Sequence, residues 1–178
     1  SIGVGSAQVD TQIDNPELAP GQLLQGQVLV QGGQSAQDIE NGVWVPRDHS
    51  RRQHMVDYAY ALEAGGKYQI MVWPTHCLIG TPGWCVQESL MHALREWERQ
   101  EFANVDYVTK GSNPWTEHYG GLEAEVPDSN DPTTGLNTGL IRVLQTADIV
   151  LLCGEALSHC VMATVNQIMA NIGDVSKL

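Results

Sequence analysis

A chain of 178 residues is long enough for one domain with a real core, or for a domain with an appendage. Its formal charge of −12, from 21 Asp and Glu against 9 Lys and Arg, argues against a binder of nucleic acid or of anionic membrane surfaces, since both attract basic side chains. Hydrophobic content of 42% is ordinary for a soluble protein, and no apolar run reaches the length of a membrane span. The four cysteines, Cys77, Cys85, Cys153 and Cys160, show no C-x-x-C spacing. Ser1-Ile2-Gly3 does not open a signal peptide, so reduced thiols in a cytoplasm are the expectation.

Residues 1–41 differ from the rest, with five acidic residues, no Lys or Arg, and much Gly and Gln. Val9, Thr11 and Ile13 alternate with polar residues, as do Leu24, Gly26, Val28 and Val30, and both runs predict strands. Asn15-Pro16 and Ala19-Pro20-Gly21 mark turns between them, and Gly32-Gly33 ends the second run. The result is a β-meander too small to be stable alone. The run Gly3-Val4-Gly5-Ser6-Ala7-Gln8-Val9-Asp10-Thr11, with Pro20-Gly21 and Val28-Leu29-Val30-Gln31-Gly32-Gly33, resembles the opening strands of the arrestin-like sporulation-control family. No catalytic group stands out here, and edge strands packed on a neighbour are the expectation.

From Val43 the composition changes. Val43-Trp44-Val45-Pro46 is a short apolar segment, and Arg47-Asp48-His49-Ser50 leads into a predicted helix over 51–64 with Met55, Ala59 and Leu62 on its apolar stripe. Gly65-Gly66 stops it. Tyr68-Gln69-Ile70-Met71-Val72-Trp73 reads as a buried strand ended by Pro74. His76 follows in a loop dense in turn residues; a neutral imidazole there can bind zinc, but the residues alone favour a hydrogen-bonded loop histidine. A helix is predicted over 86–101, burying Val86, Leu90, Ala93, Leu94 and Trp97. The strand Val105-Asp106-Tyr107-Val108-Thr109 then delivers Lys110, which either ends a strand at the surface or assists a nearby thiol. Leu136, Leu140, Val143 and Leu144 mark the next helix.

Ile149 to Leu152 are four consecutive apolar residues and predict a short buried strand, ended by Gly154. Ser158 is placed as a helix N-cap, with Val161, Val165, Ile168, Met169 and Ile172 at helical spacing behind it. Cys160 then falls in the first helical turn, where unpaired N–H groups and the helix dipole favour a thiolate nucleophile. The other reading of Cys160 is a small buried apolar residue. Alternation of strand and helix from Tyr68 onward implies an α/β fold, a parallel sheet with helices on both faces, behind an N-terminal β-meander. That organisation divides the chain into a β-rich segment at 1–41 and an α/β domain at 43–178. Its strand ends carry His76, Lys110 and Cys160 in turn, at the sheet edge where sites are built.

Trp73-Pro74-Thr75-His76-Cys77-Leu78-Ile79-Gly80-Thr81-Pro82-Gly83, Tyr107-Val108-Thr109-Lys110-Gly111 and Gly154-Glu155-Ala156-Leu157-Ser158-His159-Cys160-Val161 resemble the isochorismatase-like cysteine hydrolases, the group that includes nicotinamidases. The resemblance spans about 43–172. It implies a Rossmann-like fold, Cys160 as nucleophile, Lys110 as the triad lysine, and a non-proline cis peptide between Glu155 and Ala156. It also implies an oxyanion hole made by the backbone N–H groups of Ala156 and Cys160, and His76 as one ligand of a divalent metal site such as zinc. The family aspartate at the end of the first strand and the Asp-x-His metal motif have no counterpart in the chain, and Asp48 is the nearest substitute.

The expected activity is hydrolysis of a small amide, by acyl transfer through a thioester on Cys160, with turnover impaired by the missing aspartate. The alternative is a non-catalytic binding or regulatory module whose arrestin-like β segment docks on a partner. The expected partners are a small-molecule amide and a second copy of the chain, with no nucleic acid and no membrane.

Overall fold

The computed structural model describes residues 7–13, 26–31, 33–66, 68–71 and 77–178. They form two compact units, 1–106 and 107–178. In the first unit, β1 (Ala7–Ile13) and β2 (Gly26–Gln31) pair antiparallel, with Thr11 opposite Val28 and Ile13 opposite Gly26. Val9, Thr11 and Ile13 of the first alternating run lie in β1, and Gly26, Val28 and Val30 of the second lie in β2; Leu24 lies outside the described residues.

Helix α1 (Ala36–Glu40) starts at a capping box, in which the Ser35 hydroxyl accepts from Asp38 N–H and the Asp38 carboxylate accepts from Ser35 N–H. Helix α2 (Arg52–Ala64) follows a 3₁₀ turn at His49–Arg51 and ends at Gly65, close to the predicted span. The two helices bury Ala36 and Ile39 with Met55, Val56, Tyr58, Ala59 and Leu62. Glu63 Oε1 accepts from Ala36 N–H at 2.8 Å, so a carboxylate late in α2 satisfies a donor in the first turn of α1. Helix α3 (Glu88–Glu101) also forms near its predicted span, but none of its residues is buried; Leu90 and Trp97, predicted to face a core, are exposed.

The second unit packs α4 (Thr138–Thr146) and α5 (Met162–Asn171) around Leu122, Ile141, Val150, Ile168 and Ile172. Long loops complete it. Thr134 is fully buried: its hydroxyl accepts from Asp128 N–H at 2.8 Å and donates to Asp131 O at 2.7 Å, closing the loop before α4.

Among the described residues there is no parallel sheet, which corrects the α/β, Rossmann-like expectation. Among the described residues, the predicted strand at 68–73 reduces to a single bridge, Gln34 N–H to Ile70 O at 2.8 Å, with 72–73 outside those residues. Residues 105–109 and 149–152 are not strands. Val150 is buried, while Leu151 is 90% exposed. An apolar run becomes a strand only when a neighbour takes its N–H and C=O groups. Val150 N–H is instead taken by Lys177 O, from a 3₁₀ turn at Val175–Lys177.

Candidate functional site

Cys160 lies in a single π-helical turn, Leu157–Val161, that runs directly into α5. Val161 N–H donates to Ala156 O, five residues back, at 3.2 Å, and His159 N–H shares that carbonyl at 3.0 Å. Ile168 and Ile172, buried in the core of the unit, fix the helix behind this turn. Ala156 is the N-cap residue and makes no side-chain cap, so Ser158 is not the predicted cap. Its hydroxyl lies 2.8 Å from His159 Nδ1. The Glu155–Ala156 peptide is cis. Ala156 and Cys160 both stand at the amino end of the helical run, where backbone N–H groups outnumber intrahelical acceptors.

The segment before Lys110 brings its ammonium to this turn. Lys110 Nζ donates to His118 O at 2.7 Å and Tyr119 O at 3.0 Å, and it lies 3.6 Å from Cys160 Sγ. An ammonium has three donors, and here two meet carbonyls while the third faces sulfur. Gly111 follows with φ of 74°, a left-handed turn that favours glycine. That turn directs Gly111 N–H to His118 Nδ1 at 3.4 Å. The neutral His118 ring therefore carries its proton on Nε2, which is buried without a hydrogen-bond partner among the described residues. Burial, and then the nearby Lys110 charge, hold the His118 imidazole below its ordinary range, against a smaller opposing pull from Glu125. The rings of Tyr119 and His159 are tilted 39° to one another, with centroids 6.3 Å apart.

Of the residues singled out by sequence, Lys110 and Cys160 are brought together, and Ala156 lies beside them. His76 lies outside the described residues. Among the described residues, no three His, Cys, Asp or Glu side chains gather as a metal-ligand set. Asp48 caps the 3₁₀ turn, accepting from Ser50 N–H at 3.0 Å and from its hydroxyl at 2.7 Å. Sequence reasoning passed over His118, Thr164 and Gln167. Thr164 and Gln167 follow Cys160 by four and seven residues, a helical spacing that puts all three on one face, and the Gly120-Gly121 pair marks a close approach of backbone.

A family model described as SpoOM protein matches residues 1–43. No curated protein and no solved structure matches the chain. The match agrees with the sporulation-control resemblance of the N-terminal segment. The isochorismatase-like, nicotinamidase-related assignment of 43–172 is corrected: no family match supports it, and the described residues lack the parallel sheet it implies. The hydrolase class therefore has no support from kinship.

Proposed function

We propose that residues 107–178 carry a thiol–ammonium site for acyl transfer from a small amide. Cys160 sulfur attacks the amide carbonyl, the C–N bond breaks, and the proton given up by the thiol ends on the departing amine. Water then releases the acid from the thioester. On this reading, N–H groups at the amino end of the turn, Ala156 and Cys160 among them, receive the developing oxyanion. The 3.6 Å approach of Lys110 Nζ to Cys160 Sγ carries this reading. It rests on that geometry and not on family.

Among the described residues, Lys110 is the side chain that meets the sulfur. Among the described residues, no carboxylate is bonded to the sulfur as a proton source for the leaving amine. General acid–base help is worth a factor of ~10² to 10⁴, so turnover is slow. Free thiols at all four cysteines suit a reducing, cytoplasmic setting. A divalent metal at His76 has no support from the described residues.

The test is selective alkylation by iodoacetamide at pH 7, mapped by peptide mass. Cys77, Cys85 and Cys153 are exposed and Cys160 is half-buried, so exposure alone predicts that Cys160 reacts last. We expect it to react first. Alkylation in the order of exposure overturns the proposal. Amide hydrolysis at ordinary enzyme rates, abolished by Cys160→Ala, would keep the site but refute the impaired turnover.

The SpoOM match favours a second reading, in which the N-terminal segment docks on a protein partner and the remainder is a non-catalytic scaffold. On that reading the four thiols react in the order of their exposure.

A further inference from the structure

The ammonium of Lys110 is held by the carbonyls of His118 and Tyr119, so its position depends on whatever holds that loop. The next residues of the loop are bonded to α5. Gly121 N–H donates to Thr164 Oγ1 at 3.0 Å, and the same hydroxyl donates to Cys160 O at 2.7 Å. One turn further on, Gln167 Oε1 accepts from Leu122 N–H at 3.0 Å and Glu123 N–H at 3.4 Å, while Gln167 Nε2 donates to Glu123 O at 2.9 Å. The buried Gly120 makes room for this amide: a Cβ there would lie 2.0 Å from Gln167 Oε1.

We infer that Thr164 and Gln167 are positioning residues, a polar clamp on α5 that sets the distance between the Lys110 ammonium and the Cys160 sulfur. The inference rests on the thiol–ammonium reading above and adds to it the groups that hold the pair in register. The sulfur and the clamp share one helix. The ammonium is suspended from a loop that this helix grips at three successive residues. Thr164 bonds both parts, through Gly121 N–H on the loop and Cys160 O on the helix.

The experiment is the alkylation rate of Cys160 at pH 7 in the full chain, for Thr164→Val, Gln167→Met and Gly120→Ala, each alone and combined with Lys110→Met. Gly120→Ala leaves Gln167 in the sequence and displaces the flexible end of its side chain, so it disturbs the clamp without an apolar replacement. We expect each single variant to lower the Cys160 rate about tenfold, close to Lys110→Met alone, and to add nothing in the Lys110→Met background. Thr164→Ser, which keeps the hydroxyl, restores the rate. Wild-type rates in the clamp variants, with Lys110→Met slow, overturn the clamp and leave the thiol–ammonium pair standing. Equal losses with and without Lys110 also overturn it, since they mark a general loosening of the fold. A wild-type rate in Lys110→Met removes the pair itself, and the clamp with it.

Discussion

His118 joins two roles in one residue. Its carbonyl holds Lys110, and its ring accepts Gly111 N–H at the start of the same loop. The charged groups that act on the ring are Lys110, which opposes protonation, and Glu125, which favours it; burial outweighs both. A protonated ring would lose its acceptor at Nδ1 and set a second cation beside Lys110. The sign of the pH effect follows. The imidazole titrates lower in the folded chain than in the unfolded one, so the unfolded state binds the proton first and acid favours unfolding. This contribution to stability is fully present above the unfolded value of about 6.5 and is lost as pH falls through the lower folded value. Urea midpoints between pH 7.5 and 5.5 should therefore fall on acidification, and His118→Asn should flatten the slope. An unchanged slope in that variant would refute the assignment. The carboxylates Asp38, Asp48, Asp128, Asp131 and Asp174 are all lowered, chiefly by hydrogen bonds from hydroxyls and backbone N–H groups, and at Asp128 from the Asn130 backbone N–H first. Their effect falls in a separate window, below the ordinary carboxylate range.

At the scale of elements, helices and the N-terminal strand pair were legible in this sequence, and the parallel sheet was not. A helix closes its own hydrogen bonds, so local spacing of apolar residues locates Arg52–Ala64 and Glu88–Glu101 to within a few residues. A parallel strand needs partners far away in the chain, and apolar content says nothing about whether they exist. Leu151 and Ile168 show the difference. The continuous apolar run predicts Leu151 as part of a buried strand, and helical spacing puts Ile168 on an apolar stripe. Ile168 is 2% exposed and packs with Leu122 and Ile172, whereas Leu151 projects into solvent. Ile168→Ala should cost about 2–5 kcal/mol through lost burial and the cavity left behind. Leu151→Ala should stay within about 0.5 kcal/mol of wild type. Equilibrium denaturation of the two variants checks both values, and a large cost at Leu151 would restore the buried-strand reading. The candidate site was partly legible for the same reason. Cys160 and Lys110 are chemically conspicuous at the ends of apolar runs, while Thr164 and Gln167 look like ordinary polar helix residues until the loop they bind is seen.

The whole molecule sets apolar exposure against charge. Phe102 is 97% exposed at the left-handed end of α3, and Ile79, Ile149, Leu151 and Leu157 are exposed as well. Among the described residues, no helix is long and apolar enough to cross a membrane. Apolar area of this kind favours contact between copies. The net charge of −12 opposes it, because two copies repel wherever their fields overlap. Salt separates the two effects. The screening length falls from about 10 Å at 0.1 M to about 3 Å at 1 M, which removes the repulsion and leaves the apolar attraction intact. Self-association should therefore increase with salt, seen as a rise in weight-average sedimentation coefficient between 0.1 and about 1 M sodium chloride at fixed protein concentration. Leu151→Lys should reduce that rise, since it puts a charge on an exposed apolar site without emptying the core. A coefficient independent of salt, or one that falls as salt is added, would show that the exposed apolar side chains do not drive copies together.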